Sequence, residues 1–87
     1  MTNAIRSALE NLYLINKQYE DFASKAPLGY SKEAEDKVDA FEERIDAAEE
    51  HVYNLVQMLK DEDEAFSIMS LMHQWYRIPR YLERHAA

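Results

Sequence analysis

Carboxylates are the side chains whose spacing carries the clearest chemical pattern. Glu35, Asp36, Asp39, Glu42, Glu43, Asp46, Glu49 and Glu50 recur at intervals of three and four, which on a helix brings them to one flank. Such a row can hold a metal, exchange protons in pairs, or offer a negative surface to something cationic. A di-iron bundle needs Glu-x-x-His pairs on facing helices. The residues three before His51, His73 and His85 are Ala48, Ser70 and Leu82, so that metal reading fails. Asp61-x-Asp63 matches the opening of a calcium loop, yet Ala65 stands at its fifth position and Phe66 where the sharp turn requires glycine. Ser70 and His73 can approach each other on a helix, but no orienting carboxylate or oxyanion donor accompanies them. One glycine and no cysteine remove a phosphate-cradling loop, a thiolate site and a cysteine nucleophile. No cofactor or metal is expected, and the chain reads as a non-enzyme.

The surface reading is left. Glu35, Asp39, Glu42, Glu43, Asp46, Glu49 and Glu50 are the candidate partner-binding residues, a ridge able to occupy the basic, nucleic-acid-binding groove of another protein as a decoy for phosphate. Eight carboxylates along roughly 24 Å are sparser than duplex phosphates at about one charge per 1.7 Å, so the mimicry is partial. The plain alternative is a solvated face that keeps the chain soluble.

A second pattern lies near the C-terminus, where His73-Gln74-Trp75-Tyr76-Arg77-Ile78-Pro79-Arg80-Tyr81-Leu82-Glu83-Arg84-His85 mixes aromatics with arginines, the composition enriched at interaction hot spots. Met69, Met72, Trp75, Tyr76 and Arg80 are the candidate oligomer interface. The arginines are expected to meet the acidic ridge of the same or a neighbouring subunit. Stacking on single-stranded nucleic acid is a weaker alternative. Asn16, on the first helix's apolar stripe, reads as a register-fixing amide; Tyr13, Tyr19 and Tyr53 offer the lesser possibility of a small-ligand pocket.

These residues need helices to position them. Apolar or small residues at Ile5, Ala8, Leu9, Leu12, Ile15, Tyr19, Phe22, Ala23 and Ala26 predict a first helix over about 3–26, begun by Thr2 or Asn3 and ended by Pro27-Leu28-Gly29. Ser31 caps a second helix, about 31–60, whose Ala34, Val38, Phe41, Ile45, Ala48, Val52, Leu55 and Leu59 form a heptad seam. The short link makes the two antiparallel neighbours. Lys37, Ala40, Arg44, Ala47, His51, Asn54 and Met58 occupy the flank of that helix away from the acids. A third helix, about 63–78, starts behind Asp61, although a continuous second and third helix is also possible. Its apolar residues surround the axis, so it must be covered on several sides. Pro79 ends or kinks it, leaving a short turn over 80–86.

Charge and composition bound the whole. The 87 residues carry a net charge of −7. Ser31 to Glu64 has four bases against thirteen acids, giving −9, whereas Ala65 to Ala87 has three arginines against Glu83, giving +2. The acidic middle opposes direct contact with nucleic acid or anionic lipid. Length allows one core, and the scarcity of Gly and Pro excludes a many-stranded sheet protein. No stretch has the roughly 20 apolar residues of a membrane span and no signal-peptide layout is present, so a cytoplasmic protein is expected. The fold expected is all-α, a single domain in which an antiparallel hairpin plus a third apolar helix makes a three-helix bundle, oligomeric through the leftover apolar surface. The function expected is a protein-binding module acting as an inhibitor, by analogy of class with small phage-borne inhibitors. The rivals are a homo-oligomeric structural or adaptor protein and a nucleotide-sequestering protein.

Overall fold

The computed structural model describes residues 1–25 and 31–85, and within them every element is helical. Four α-helices run in the order α1 (Asn3–Lys25), α2 (Lys32–Val56), α3 (Glu62–His73) and α4 (Ile78–Arg84), with a 3-10 turn, Trp75–Arg77, between the last two. The calls for Ala26 and the Pro27-Leu28-Gly29 stop lie outside the described residues.

Local chemistry sets the helix starts. Thr2 Oγ1 accepts from the Ile5 N–H at 3.2 Å, satisfying one of the first free donors of α1. Ser31 does the same for Ala34 at 3.1 Å, with Glu33 and Glu35 in the first turn of α2, where the helix dipole favours negative charge. Asp61 Oδ1 accepts from both Asp63 and Glu64 at 3.0 and 3.2 Å. Glu64 does not complete a capping box; its carboxylate pairs with the Met1 ammonium at 3.2 Å.

The second and third helices are therefore separate, and α2 stops four residues short of the expected Lys60. No glycine or proline stops it. Met58 and Leu59 donate to Leu55 and Val56 in tightened i→i−3 bonds, a geometry common where a helix closes. The turn lets Ile68 and Leu71 of α3 fold back as part of the common core, while Leu59 packs against it from the link.

Twelve buried apolar residues make that core: Ile5, Ala8, Leu9, Leu12 and Ile15 of α1, Ala48, Val52 and Val56 of α2, Ile68 and Leu71 of α3, Ile78 and Leu82 of α4. Within the hairpin it is confined to the first half of α1 and the last half of α2. Beyond Ile15 and Ala48 the hairpin continues as a two-helix arm, and seam residues Ala34, Val38, Phe41 and Ile45 are only half-buried. Phe41 joins the arm's helices, stacking on Tyr19 at 5.5 Å between ring centroids and lying 5.7 Å from Phe22. With Arg44 reaching Gln18 across the gap, late residues of α1 meet early residues of α2, as an antiparallel pair requires. The molecule is accordingly elongated, 46 × 22 × 18 Å.

The expected third helix of about 63–78 is corrected. The chain leaves α-helical geometry at Gln74 (φ −127°, ψ 55°), passes through the 3-10 turn and enters α4 with Pro79 in its first turn. Proline there forgoes no hydrogen bond, because the N–H it lacks would have had no partner inside the helix. The stretch read as a short closing turn is thus a helix packed on α1, anchored by Ile78, Leu82 and a bond from Arg6 Nη2 to the Leu82 carbonyl at 2.9 Å. By breaking its axis at Gln74 the chain folds α4 back onto α1, so that Ile78 and Leu82 join Ile68 and Leu71 in the common core. Full coverage of α3 does not follow, since Phe66 is 77% exposed.

Candidate partner-binding surface

The acidic row sits on α2, and the seam fixes its orientation. Burying Ala48, Val52 and Val56 against α1 and α3 turns the flank bearing the carboxylates outward. Glu35, Asp36, Asp39, Glu42, Glu43, Asp46 and Glu50 are exposed and Glu49 is half-buried. Among the described residues the ion pairs are Met1–Glu64, Arg6–Glu10, Lys17–Glu20 and Lys37–Glu33, so no ridge carboxylate has a cation within pairing distance. Arg44 lies elsewhere, 5.7 Å over the Phe41 ring and directed to Gln18 at 3.5 Å. Like charges three or four apart on a helix each cost about 0.2–0.5 kcal/mol, and no ion pair among the described residues relieves that repulsion.

Glu49 marks where the ridge runs into the bundle. Its carboxyl is pushed above the ordinary value, first by burial and then by Asp46, with His73 of α3 acting in the opposite direction. A carboxylate there is less favourable than on the open arm, because desolvation penalises the charged form.

The remaining sequence candidates are distributed. Met69, Met72 and Trp75 pack against the core of their own chain, and Trp75 also lies 5.8 Å from Tyr13. Of the candidate oligomer interface, Tyr76, 63% exposed, and Arg80 remain fully at the surface. Asn16 does not bridge helices: its Nδ2 donates to the Leu12 carbonyl one turn back at 2.9 Å, satisfying itself locally. Tyr13, Tyr19 and Tyr53 serve three separate places, against Trp75, against Phe41 and in solvent. Ser70 Oγ donates to the Ser67 carbonyl at 2.7 Å rather than to His73. Among the described residues no three His, Asp or Glu side chains converge as a metal site, and no helix is long and apolar enough to cross a membrane.

The C-terminal arginines do not meet the ridge of their own chain. Arg77 Nη1 donates to Gln74 Oε1 at 2.8 Å, and Arg77, Arg80 and Arg84 border a concavity with Leu71, Tyr81 and His85. Sequence reading saw these arginines but not their convergence; the signal was their spacing of three and four. Comparison with protein-family models, curated proteins and solved structures finds no match for the chain.

Proposed function

We propose that the chain is a non-enzymatic inhibitor that binds a partner protein, its α2 ridge lying in a basic groove that otherwise takes nucleic acid. The observation carrying this reading is the outward row of Glu35, Asp39, Glu42, Glu43, Asp46 and Glu50, none paired with a cation among the described residues. A basic partner would relieve the mutual repulsion of these groups, so that part of the binding free energy comes from strain already present in the free protein. The arm supports the same reading geometrically. Two helices without a third covering layer make a narrow blade that leaves the acid-bearing flank of α2 open to a partner.

Charge reversal of Glu42, Glu43 and Asp46 to lysine tests it. These side chains are exposed and contribute nothing to the core, so helicity by circular dichroism should be retained. In a pull-down from a bacterial lysate, the proteins held by the wild-type chain should be basic, should elute as salt rises, and should be lost from the reversed variant. Retention of the same proteins by the variant sinks the reading.

A further inference from the structure

Positive charge in this acidic molecule gathers at one concave place. Arg77, Arg80 and Arg84 follow one another at intervals of three and four, which places them on one side of the 3-10 turn and α4. The opposite side holds Ile78 and Leu82, both buried in the core; that burial, with the bond from Arg6 to the Leu82 carbonyl, fixes the rotation of the helix. The three arginines consequently border a cavity of about 180 Å³, with Leu71, Tyr81 and His85 completing the wall. Among the described residues no carboxylate lines it. Arg77 is steadied by Gln74, while Arg80 and Arg84 form no ion pair among the described residues. The Tyr81 ring packs on His85 at 4.3 Å. Burial first, and Glu64 second, push the Tyr81 hydroxyl above its ordinary value, so it is a donor at neutral pH.

We propose that this cavity is a binding site for a small phosphorylated compound, held by its phosphoryl or diphosphoryl group. Guanidinium forks match phosphate oxygens two at a time, and three forks around one concavity serve a tetrahedral polyanion better than a planar carboxylate. Size argues the same way. Whole drug-sized ligands fill clefts of about 300–1,000 Å³, so this one takes a charged group and leaves the rest of the molecule outside. The acidic ridge of a second copy is a poorer occupant, because a helix about 10–12 Å across cannot enter so small a hollow. The net charge of −7 opposes the approach of any anion, so binding is expected to be modest and to weaken with ionic strength. This site is independent of the ridge, and either can fail without the other.

The test is a nuclear magnetic resonance titration of the full chain with inorganic phosphate, inorganic pyrophosphate and ADP, each against sodium chloride at matched ionic strength. Saturable shifts confined to the Nε–H groups of Arg77, Arg80 and Arg84 and the amides around Tyr81 and His85 support the proposal. Equal affinity for pyrophosphate and ADP assigns recognition to the diphosphoryl group alone; tighter ADP adds a contact to the nucleoside outside the cavity. The double variant Arg80→Gln/Arg84→Gln should weaken pyrophosphate binding by about tenfold or more with helicity unchanged, and Arg80→Gln alone serves if the double variant loses helicity. Arg44→Gln, on the other helix, should leave affinity unaltered. Shifts no larger than those from sodium chloride, or equal weakening by Arg44→Gln, overturn the site. So does engagement of these arginines by a second copy, seen as concentration-dependent shifts without phosphate together with a dimer in sedimentation.

Discussion

Replacing Phe41 by alanine should loosen the arm while sparing the bundle. The ring stacks on Tyr19 at 5.5 Å with planes 11° apart, lies 5.7 Å from Phe22, and sits 5.7 Å beneath the Arg44 guanidinium. Each aromatic pair contributes about 0.5–1.5 kcal/mol beyond area burial, and an exposed cation–π contact about 0.5–1 kcal/mol. Half-burial of the ring adds roughly half of the 1.5–3 kcal/mol for a fully buried side chain. These contributions share one ring and are not additive, so the expected loss is about 2 kcal/mol. Because none of the twelve buried residues lies in the arm, between Ile15 and Ala48, the loss falls on a local opening rather than on the whole fold. Hydrogen exchange reads it directly. Amides between Ile15 and Phe22 and between Val38 and Ile45 should exchange about thirtyfold faster, as 2 kcal/mol implies, while those of Leu9, Leu12 and Val52 change little. Uniform acceleration along the chain, or none in the arm, would refute the division into arm and bundle.

Other expectations concern stability, charge and assembly. Leu12→Ala, at a fully buried position, should cost about 2–5 kcal/mol, a large share of the about 4–13 kcal/mol available to a domain of this length; its Tm in a thermal melt should fall well below that of Phe41→Ala. Ser31→Ala and Asp61→Ala each remove a side-chain cap and should each cost about 1 kcal/mol in urea denaturation. Glu49 is held above its ordinary 4.5 by burial first and Asp46 second, so the folded state binds its proton more tightly than the unfolded chain. Stability therefore falls as pH rises from 4.5 through the raised value. Glu49→Gln should stabilise the protein at pH 7 by less than about 1 kcal/mol, solvent screening being substantial there, and the gain should vanish below pH 4.5. An unchanged or negative difference at pH 7 contradicts this sign. Trp75→Ala should lower thermal stability through its contacts with Tyr13 and the core, and sedimentation of both proteins shows whether it also alters assembly.

The hairpin was legible because its signals are local. Every seam residue from Ala34 to Leu59 is at least half-buried, and the caps at Ser31 and Asp61 stand where their side chains predicted. What could not be read was the path after Lys60. The choice between a continuing helix and a turn is made by Ile68 and Leu71 joining the core that α1 and α2 form, a tertiary contact that no window of sequence contains. The break at Gln74 and the placing of Pro79 inside the start of a helix have the same origin, since proline suits both the end of one helix and the first turn of the next. Asn16 misled because an amide on an apolar stripe can turn back to its own helix as easily as across to another. The acidic flank was visible as a pattern, and its exposure follows from the seam; the arginine cavity depended on α4 docking against α1, which the sequence presented only as a frayed end.

The most direct test of the ridge as a decoy for phosphate is competition at one partner. A basic protein recovered on the immobilised wild-type chain should be challenged with duplex or single-stranded nucleic acid at fixed ionic strength. Mutual exclusion is predicted: nucleic acid should release the partner in a saturable way, and the Glu42, Glu43 and Asp46 charge-reversed chain should fail to compete for it. A stable ternary complex, with nucleic acid and this chain on the same partner together, would contradict the account.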